Sequence, residues 1–389
     1  MATDLSALFT PIDINSIQLP NRFVLPGMQR AQGRSGVPTA ASAAGFRRIV
    51  EGGCPLIISE STAVDHPSAS RQEFCVRMND ATKEAWRHCA SEVRGAGGHL
   101  FIQLWHEGGH RPELEPGPDW DGPTISPSGM VAPGRGHGKP ATVKQLHEVR
   151  DAFVRSALLA KEVGASGVEI HGAHGYFLDQ CFWAQTNIRD DEYGGPDLRN
   201  RIRLATEIVR GVRSALGPDF PISLRFSQFK EVDFGARIFD TPEDIRVFVE
   251  EFEAAGVDVF DVSTRRFYEA AFPDSPLSLA GWVKSFSTKP VIAVGSVGVD
   301  REFMATLFEE GEAQFNIEAG LAELVRRFDL GEFDMIAIGR GQLGDPDWVQ
   351  KVREGRGSEI RHFRRSDILG DITWDAEFVE ESYEANAKP

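Results

Sequence analysis

Eight short apolar runs, with amphipathic stretches at helical spacing between them, constrain this chain more than any other feature of its sequence. The runs are Phe23–Leu25, Leu56–Ser59, Leu100–Leu104, Gly167–His171, Ile222–Arg225, Val257–Val262, Val291–Val294 and Met335–Ile338. Helical patterns fall between them at Ala81–Arg94, Lys144–Val163, Leu198–Leu216, Pro242–Ala255 and Arg301–Glu309, and Gly164 and Gly256 stand where C-caps belong. Strands that are apolar nearly throughout, rather than alternating, are buried on both faces, as in a parallel sheet covered by helices. Eight strand–helix units close a (β/α)8 barrel. The competing open, doubly wound sheet carries a G-x-G-x-x-G turn directly after its first strand. None follows Phe23–Leu25.

The fold class expected is therefore α/β, a (β/α)8 TIM barrel. A length of 389 residues alone would allow two or three domains, but no linker divides the pattern. The chain reads as one barrel domain over residues 1–358 and a C-terminal extension over 359–389, with a long Pro-, Gly- and His-rich loop, His106–Lys144, after strand 3. A loop of that length usually carries function or a small subdomain. The extension ends in an acidic stretch, Asp375–Glu384, read as a loosely docked helix, with dimer contact or the lining of a neighbouring site as the alternative.

With 42 basic and 58 acidic side chains the net charge is −16, which excludes a polyanion binder and leaves nucleic acid out of the partners. No apolar run approaches the roughly 20 residues that cross a bilayer. The N-terminus lacks a basic region followed by an apolar one, so no secretory signal is read there and a cytoplasmic location is expected. Cys54, Cys75, Cys89 and Cys181 show no C-x-x-C pairing and read as free thiols. No metal site is expected, and a homo-oligomer is left open.

In such a barrel the C-terminal strand ends converge on one site. Here they carry Gln103-Leu-Trp-His106, His171-Gly-Ala-His174-Gly-Tyr176, Arg225, Gly295-Ser296 and Gly339-Arg340. The turn Gly295-Ser-Val-Gly298, a helix starting near Asp300, and Gly339-Arg340 suit a phosphate through backbone N–H groups freed by glycine and one guanidinium. His171 and His174 admit three readings: metal ligands, though no third ligand accompanies them; an inert polar pair; or, the favoured one, hydrogen-bond donors to an anionic or carbonyl oxygen, with Tyr176 a phenolic proton donor beside them.

From about Leu8 to Arg356 the chain resembles the Old Yellow Enzyme family of flavin-dependent oxidoreductases. The likeness rests on Glu169-Ile-His-Gly-Ala-His-Gly-Tyr-Phe-Leu-Asp-Gln180, on Asn187-Ile-Arg-Asp-Asp-Glu-Tyr-Gly-Gly195 and Asn200-Arg201, and on Pro20-Asn-Arg22, Ile102-Gln-Leu104, Val294-Gly295 and Ile338-Gly-Arg-Gly341 with Asp345-Pro-Asp347. The resemblance implies non-covalent FMN at the barrel mouth, reduced by NADH or NADPH. Pro26, Gly27, Met28 and Gln29 would lie along the isoalloxazine and Ser61 near its carbonyl edge. Gln103 and Arg225 would bond the pyrimidine ring, and Gly295, Ser296, Gly339 and Arg340 would bind the phosphate. His171 and His174 would hold the electron-withdrawing oxygen of a small-molecule substrate, and Tyr176 would protonate the α-carbon of an activated C=C bond. Trp105 would stand over the pocket and restrict substrate size, and the cationic and aromatic loop Arg265–Phe272, with Phe267 and Tyr268, is either a substrate lid or a surface loop packing on the barrel.

Two positions depart from the family's pattern. Gln29 replaces the usual Thr or Cys against the flavin, and Gly27 replaces the preceding Pro. Two other activities stand beside ene-reduction. One is flavin-dependent dehydrogenation or demethylation of an amine or N-methyl group; relatives of that kind carry a C-terminal cysteine cluster, whereas Cys181 is the last cysteine here. The other is a flavin-free phosphate-binding lyase or isomerase, for which no strand end offers a compelling lysine.

Overall fold

The computed structural model describes residues 3–111, 122–299 and 316–369. Eight parallel strands close on themselves: β1 (Phe23–Leu25), β2 (Leu56–Ile58), β3 (His99–Trp105), β4 (Gly167–His174), β5 (Ile222–Lys230), β6 (Val259–Ser263), β7 (Val291–Val294) and β8 (Met335–Ala337). Each pairs with the next, and β8 pairs with β1 to complete the barrel. The helices α1 (Ala40–Glu51), α2 (Lys83–Gly95), α3 (Val143–Glu162), α4 (Leu198–Leu216), α5 (Pro242–Ala255), α6 (Leu279–Phe286) and α7 (Ile317–Asp329) follow successive strands. The helix expected over Arg301–Glu309, and the one expected to begin near Asp300, lie outside the described residues.

The strand period sorts the core into two layers. Val24, Leu56, Ile58, Phe101, Val259, Ile292, Val294, Met335 and Ala337 pack together inside the barrel, while their chain neighbours Phe23, Leu25, Ile57, Val291, Ala293 and Ile336 pack outward into the helical layer. Ile14 and Leu19 belong to the inner cluster. They sit on the hairpin Ile12–Ile14/Ile17–Leu19 that precedes β1 and therefore plugs the barrel at the strands' N-terminal ends. The same period, continued along β3 to β6, puts Gln103, Glu169, Ser223, Arg225 and Asp261 on the inward face, so the interior turns from apolar to polar towards the mouth.

Local chemistry fixes the helices. Thr142 and Thr241 close capping boxes with Gln145 and Asp244 at the starts of α3 and α5. Gly256 ends α5 in the left-handed region at φ 114°. The loop after β3 carries two small strand pairs, Ile125–Ser126 with Lys139–Pro140 and Met130–Ala132 with Arg135–Gly136. Past α7 the chain stays docked, with Ile360 and Phe363 buried. Gly370–Pro389, including the acidic stretch Asp375–Glu384, lies outside the described residues. All four cysteines are buried and unpaired, and no described helix is long and apolar enough to cross a membrane.

Candidate active site

One cavity opens at the C-terminal mouth, and three groups of strand ends build it. The first is β1, whose continuation Pro26-Gly-Met-Gln29 forms one wall, with Ser61 after β2 and Gln103 on β3 beside it. Gly27 is required there: a Cβ would run into Gln103 Nε2 and come within 2.8 Å of the Ser59 carbonyl. Its own carbonyl accepts from Arg225 Nη1 at 2.8 Å, which ties β1 to β5. The Gln29 side chain is committed locally, its Oε1 accepting from Ala31 N at 2.9 Å and its Nε2 donating to Cys75 Sγ at 3.4 Å.

Behind that wall lies a buried polar layer. Gln103 Nε2 donates to Glu169 Oε1 and Ser223 Oγ to Glu169 Oε2, both at 2.8 Å, while Ser61 Oγ donates to Gln103 Oε1 at 3.1 Å. Arg225 Nε stands 3.7 Å from Asp261 Oδ1. Burial pushes both carboxyls up, Asp261 furthest because Glu169 opposes its ionisation while Arg225 favours it. A proton kept by Asp261 leaves one carboxylate facing one guanidinium.

The second group is β7 and β8. Gly295, Ser296, Gly339 and Arg340 line this end, and Arg340 Nη2 donates to Ser296 Oγ at 3.0 Å. Ser296 takes φ 43° and Gly295 φ 154°, so the turn holds backbone that side chains other than glycine's rarely adopt. A Cβ on Gly339 would collide with Met28 Sδ. Glycine, a strained turn and a permanent cation thus gather at one end.

The third group is the end of β4. His171 and His174 line the cavity with ring centroids 5.2 Å apart. His174, at φ 65°, shares a 2.8 Å hydrogen bond between its Nε2 and Ser263 Oγ, whereas neither ring nitrogen of His171 has a partner among the described residues. Burial first, and then the Arg225 charge, hold both rings well below the ordinary imidazole range. Each is neutral at pH 7 and offers one N–H. Tyr176 follows, its phenol held well above 10 by burial and by neighbouring carboxylates, and its hydroxyl donating to Glu231 Oε2 at 3.0 Å.

Three expected substrate residues do not line the cavity. Trp105 is buried one layer behind, edge-on to Tyr176 at 5.1 Å, and so supports the phenol instead of capping the pocket. Phe267 turns inward, 2% exposed, against Phe333 at 6.2 Å, because its side chain is apolar and the core beneath is open to it. Tyr268 points to the surface, 37% exposed. From that loop Arg265 reaches the cavity instead, lying over the Phe234 ring at 4.2 Å.

The sequence reading missed Glu231 and Ser263. Both follow from strand length: β5 runs to Lys230, not Arg225, and β6 runs to Ser263, not Val262. Counting every second residue on from Arg225 along an extended strand, through Ser227 and Phe229, reaches Glu231.

A profile described as the NADH:flavin oxidoreductase / NADH oxidase family matches residues 7–318. The chain belongs to that family. It is an FMN oxidoreductase of the Old Yellow Enzyme group, with FMN as cofactor and a reduced nicotinamide as reductant. An NADH oxidase of Thermoanaerobacter brockii is 30% identical over 365 residues, 91% of this chain but 52% of that protein, so the chain spans about half its length. 12-oxophytodienoate reductase 7 of Oryza sativa subsp. japonica is 28% identical over 90% of this chain and 88% of its own. The Old Yellow Enzyme structure from Pichia sp. AKU4542 superposes with a TM-score of 0.76 at 22% identity, covering 98% of this chain and 94% of that one, which speaks to the fold.

The residues present fit such a cofactor. Glycine at 27 and 339 lets the ends of β1 and β8 pack against Gln103 and Met28 to form one wall, the Arg340–Ser296 end suits a phosphate, and Gln103 and Arg225 line the cavity between.

Proposed function

We propose that this enzyme reduces the activated C=C bond of an α,β-unsaturated carbonyl or a similarly electron-poor alkene. In this reading Pro26, Gly27, Met28, Gln29, Ser61, Gln103 and Arg225 hold the ring system of FMN, and Gly295, Ser296, Gly339 and Arg340 hold its phosphate. When bound, FMN supplies the hydride it has taken from NADH or NADPH.

The observation that carries the reading is the juxtaposition of His171, His174 and Tyr176 on one wall: two neutral N–H donors, one with no partner among the described residues, beside a phenol that keeps its proton. The histidines bind the substrate oxygen and draw charge from the double bond, which makes its β-carbon electrophilic. Neutral rings suit a ligand oxygen that gains charge during the reaction, because their donors are already in place. Tyr176 gives its hydroxyl proton to the α-carbon as the hydride reaches the β-carbon. Arg225, held by the Gly27 carbonyl and facing Asp261, would present its guanidinium to the ring's pyrimidine side. The name of the rice relative, a reductase of 12-oxophytodienoate, agrees with this chemistry.

The test is a substrate panel. NAD(P)H-reduced enzyme should be reoxidised anaerobically by enones and nitroalkenes with formation of the saturated product, and not turn over N-methylated amines. Reversal of that preference would favour amine dehydrogenation and overturn the proposal.

A further inference from the structure

Glu231 belongs to no motif of the resemblance, yet its carboxylate accepts the Tyr176 hydroxyl at 3.0 Å within the same cavity. Its backbone N–H donates to the His174 carbonyl at 3.1 Å, so the strand that carries it is fixed to the loop that carries Tyr176. Glu107, from the loop after β3, acts electrostatically on both. Arg265, His171 and His174 share the cavity wall. Behind Glu231 in its own segment, Lys230 is tied to buried Asp179 at 2.7 Å, and Asp233 closes the turn.

We infer that Glu231 is a positioning residue that holds the Tyr176 hydroxyl and returns its proton after each reduction. The inference rests on the ene-reductase reading. In each cycle the Tyr176 O–H bond breaks as the α-carbon C–H bond forms, while the hydride from the reduced cofactor completes the addition. The Glu231 O–H bond then breaks as the Tyr176 O–H bond re-forms, and Glu231 recovers its proton from solvent. No further oxidant or reductant enters.

The direction of the pH effect follows. Burial, and to a smaller degree Glu107, push the Glu231 carboxyl up to about 7, and the phenol's hydrogen bond opposes that rise. Below pH 7 the pair holds two protons and the return is available. Above it a tyrosinate would form beside a carboxylate, which like-charge repulsion disfavours.

Two measurements test this. In stopped-flow reoxidation by cyclohex-2-enone the wild-type rate should fall as pH rises through about 7, approaching tenfold per pH unit. Glu231→Gln keeps a hydrogen bond but cannot ionise, so its rate should be flat from pH 6 to 8, and Glu231→Asp should restore the dependence. Infrared difference spectra of the protein need no turnover: the protonated-carboxyl band of Glu231 should titrate near pH 7, vanish in Glu231→Gln, and titrate at higher pH in Tyr176→Phe. The same inflection in Glu231→Gln, or a band unmoved by Tyr176→Phe, overturns the inference. A correctly coupled band in a protein that no enone reoxidises would contradict the ene-reductase reading and not the dyad.

Discussion

The two ends of the cavity are built from different materials. The β7 and β8 end uses glycine, strained backbone and the permanent charge of Arg340, none of which titrates near neutrality. The β4 and β5 end uses buried imidazoles, a phenol and a carboxyl, all displaced from their ordinary protonation range. The first suits a constant anion that stays bound. The second suits an oxygen and a carbon whose charge changes during the reaction, and it leaves His171 without a partner among the described residues.

Substitutions should break the contrast at one end or the other. Removing the phenolic proton with Tyr176→Phe should have the largest effect, slowing enone reoxidation by about 10²–10⁴-fold, the usual range for a placed acid, with reduction by NAD(P)H intact in stopped-flow traces. At the opposite end, Arg340→Ala should weaken FMN binding about 10–100-fold, as expected for a charged hydrogen bond of about 1.5–3 kcal/mol, with no change in the pH profile of the reoxidation rate. FMN titration by fluorescence checks the first part. His171→Ala or His174→Ala should weaken a phenolic ligand about 5–10-fold, near 1 kcal/mol per neutral hydrogen bond, measured through its charge-transfer band.

The smallest effect concerns stability. Both imidazoles are held below their unfolded value of about 6.5. The unfolded chain takes up protons that the folded site refuses, so this stability is complete above about pH 6.5 and is lost as pH falls, by at most about 1.4 kcal/mol per unit for each ring. Urea unfolding at pH 7 and 5.5 should show a shallower loss in His171→Gln and His174→Gln than in wild type, and an unchanged loss in Arg340→Ala.

The barrel was legible because buried parallel strands write their period and their burial directly into short apolar runs. Phe23–Leu25, Val291–Val294, Leu198–Leu216 and Pro242–Ala255 end in the structure where the pattern ends. The cavity-lining residues of the strand ends were legible for the same reason, since a polar residue closing an apolar run has few other places to go. What escaped depended on length and orientation. Glu231 and Ser263 lie past the expected ends of β5 and β6, where the inward face continues with polar side chains. Phe267 and Tyr268 were read as one lid, but adjacent residues in a loop can point opposite ways, and the core took one while solvent kept the other. Gln29, which departs from the family's Thr or Cys, lines the cavity as expected, but its hydrogen bonds to Ala31 and Cys75 could not be read from the chain.

The most direct measurement is anaerobic mixing of FMN-loaded, NAD(P)H-reduced protein with cyclohex-2-enone, followed at the flavin absorbance band. The account predicts that the oxidised band returns without oxygen, with cyclohexanone as product, and that Tyr176→Phe slows this step alone. A flavin that stays reduced until air is admitted would contradict it.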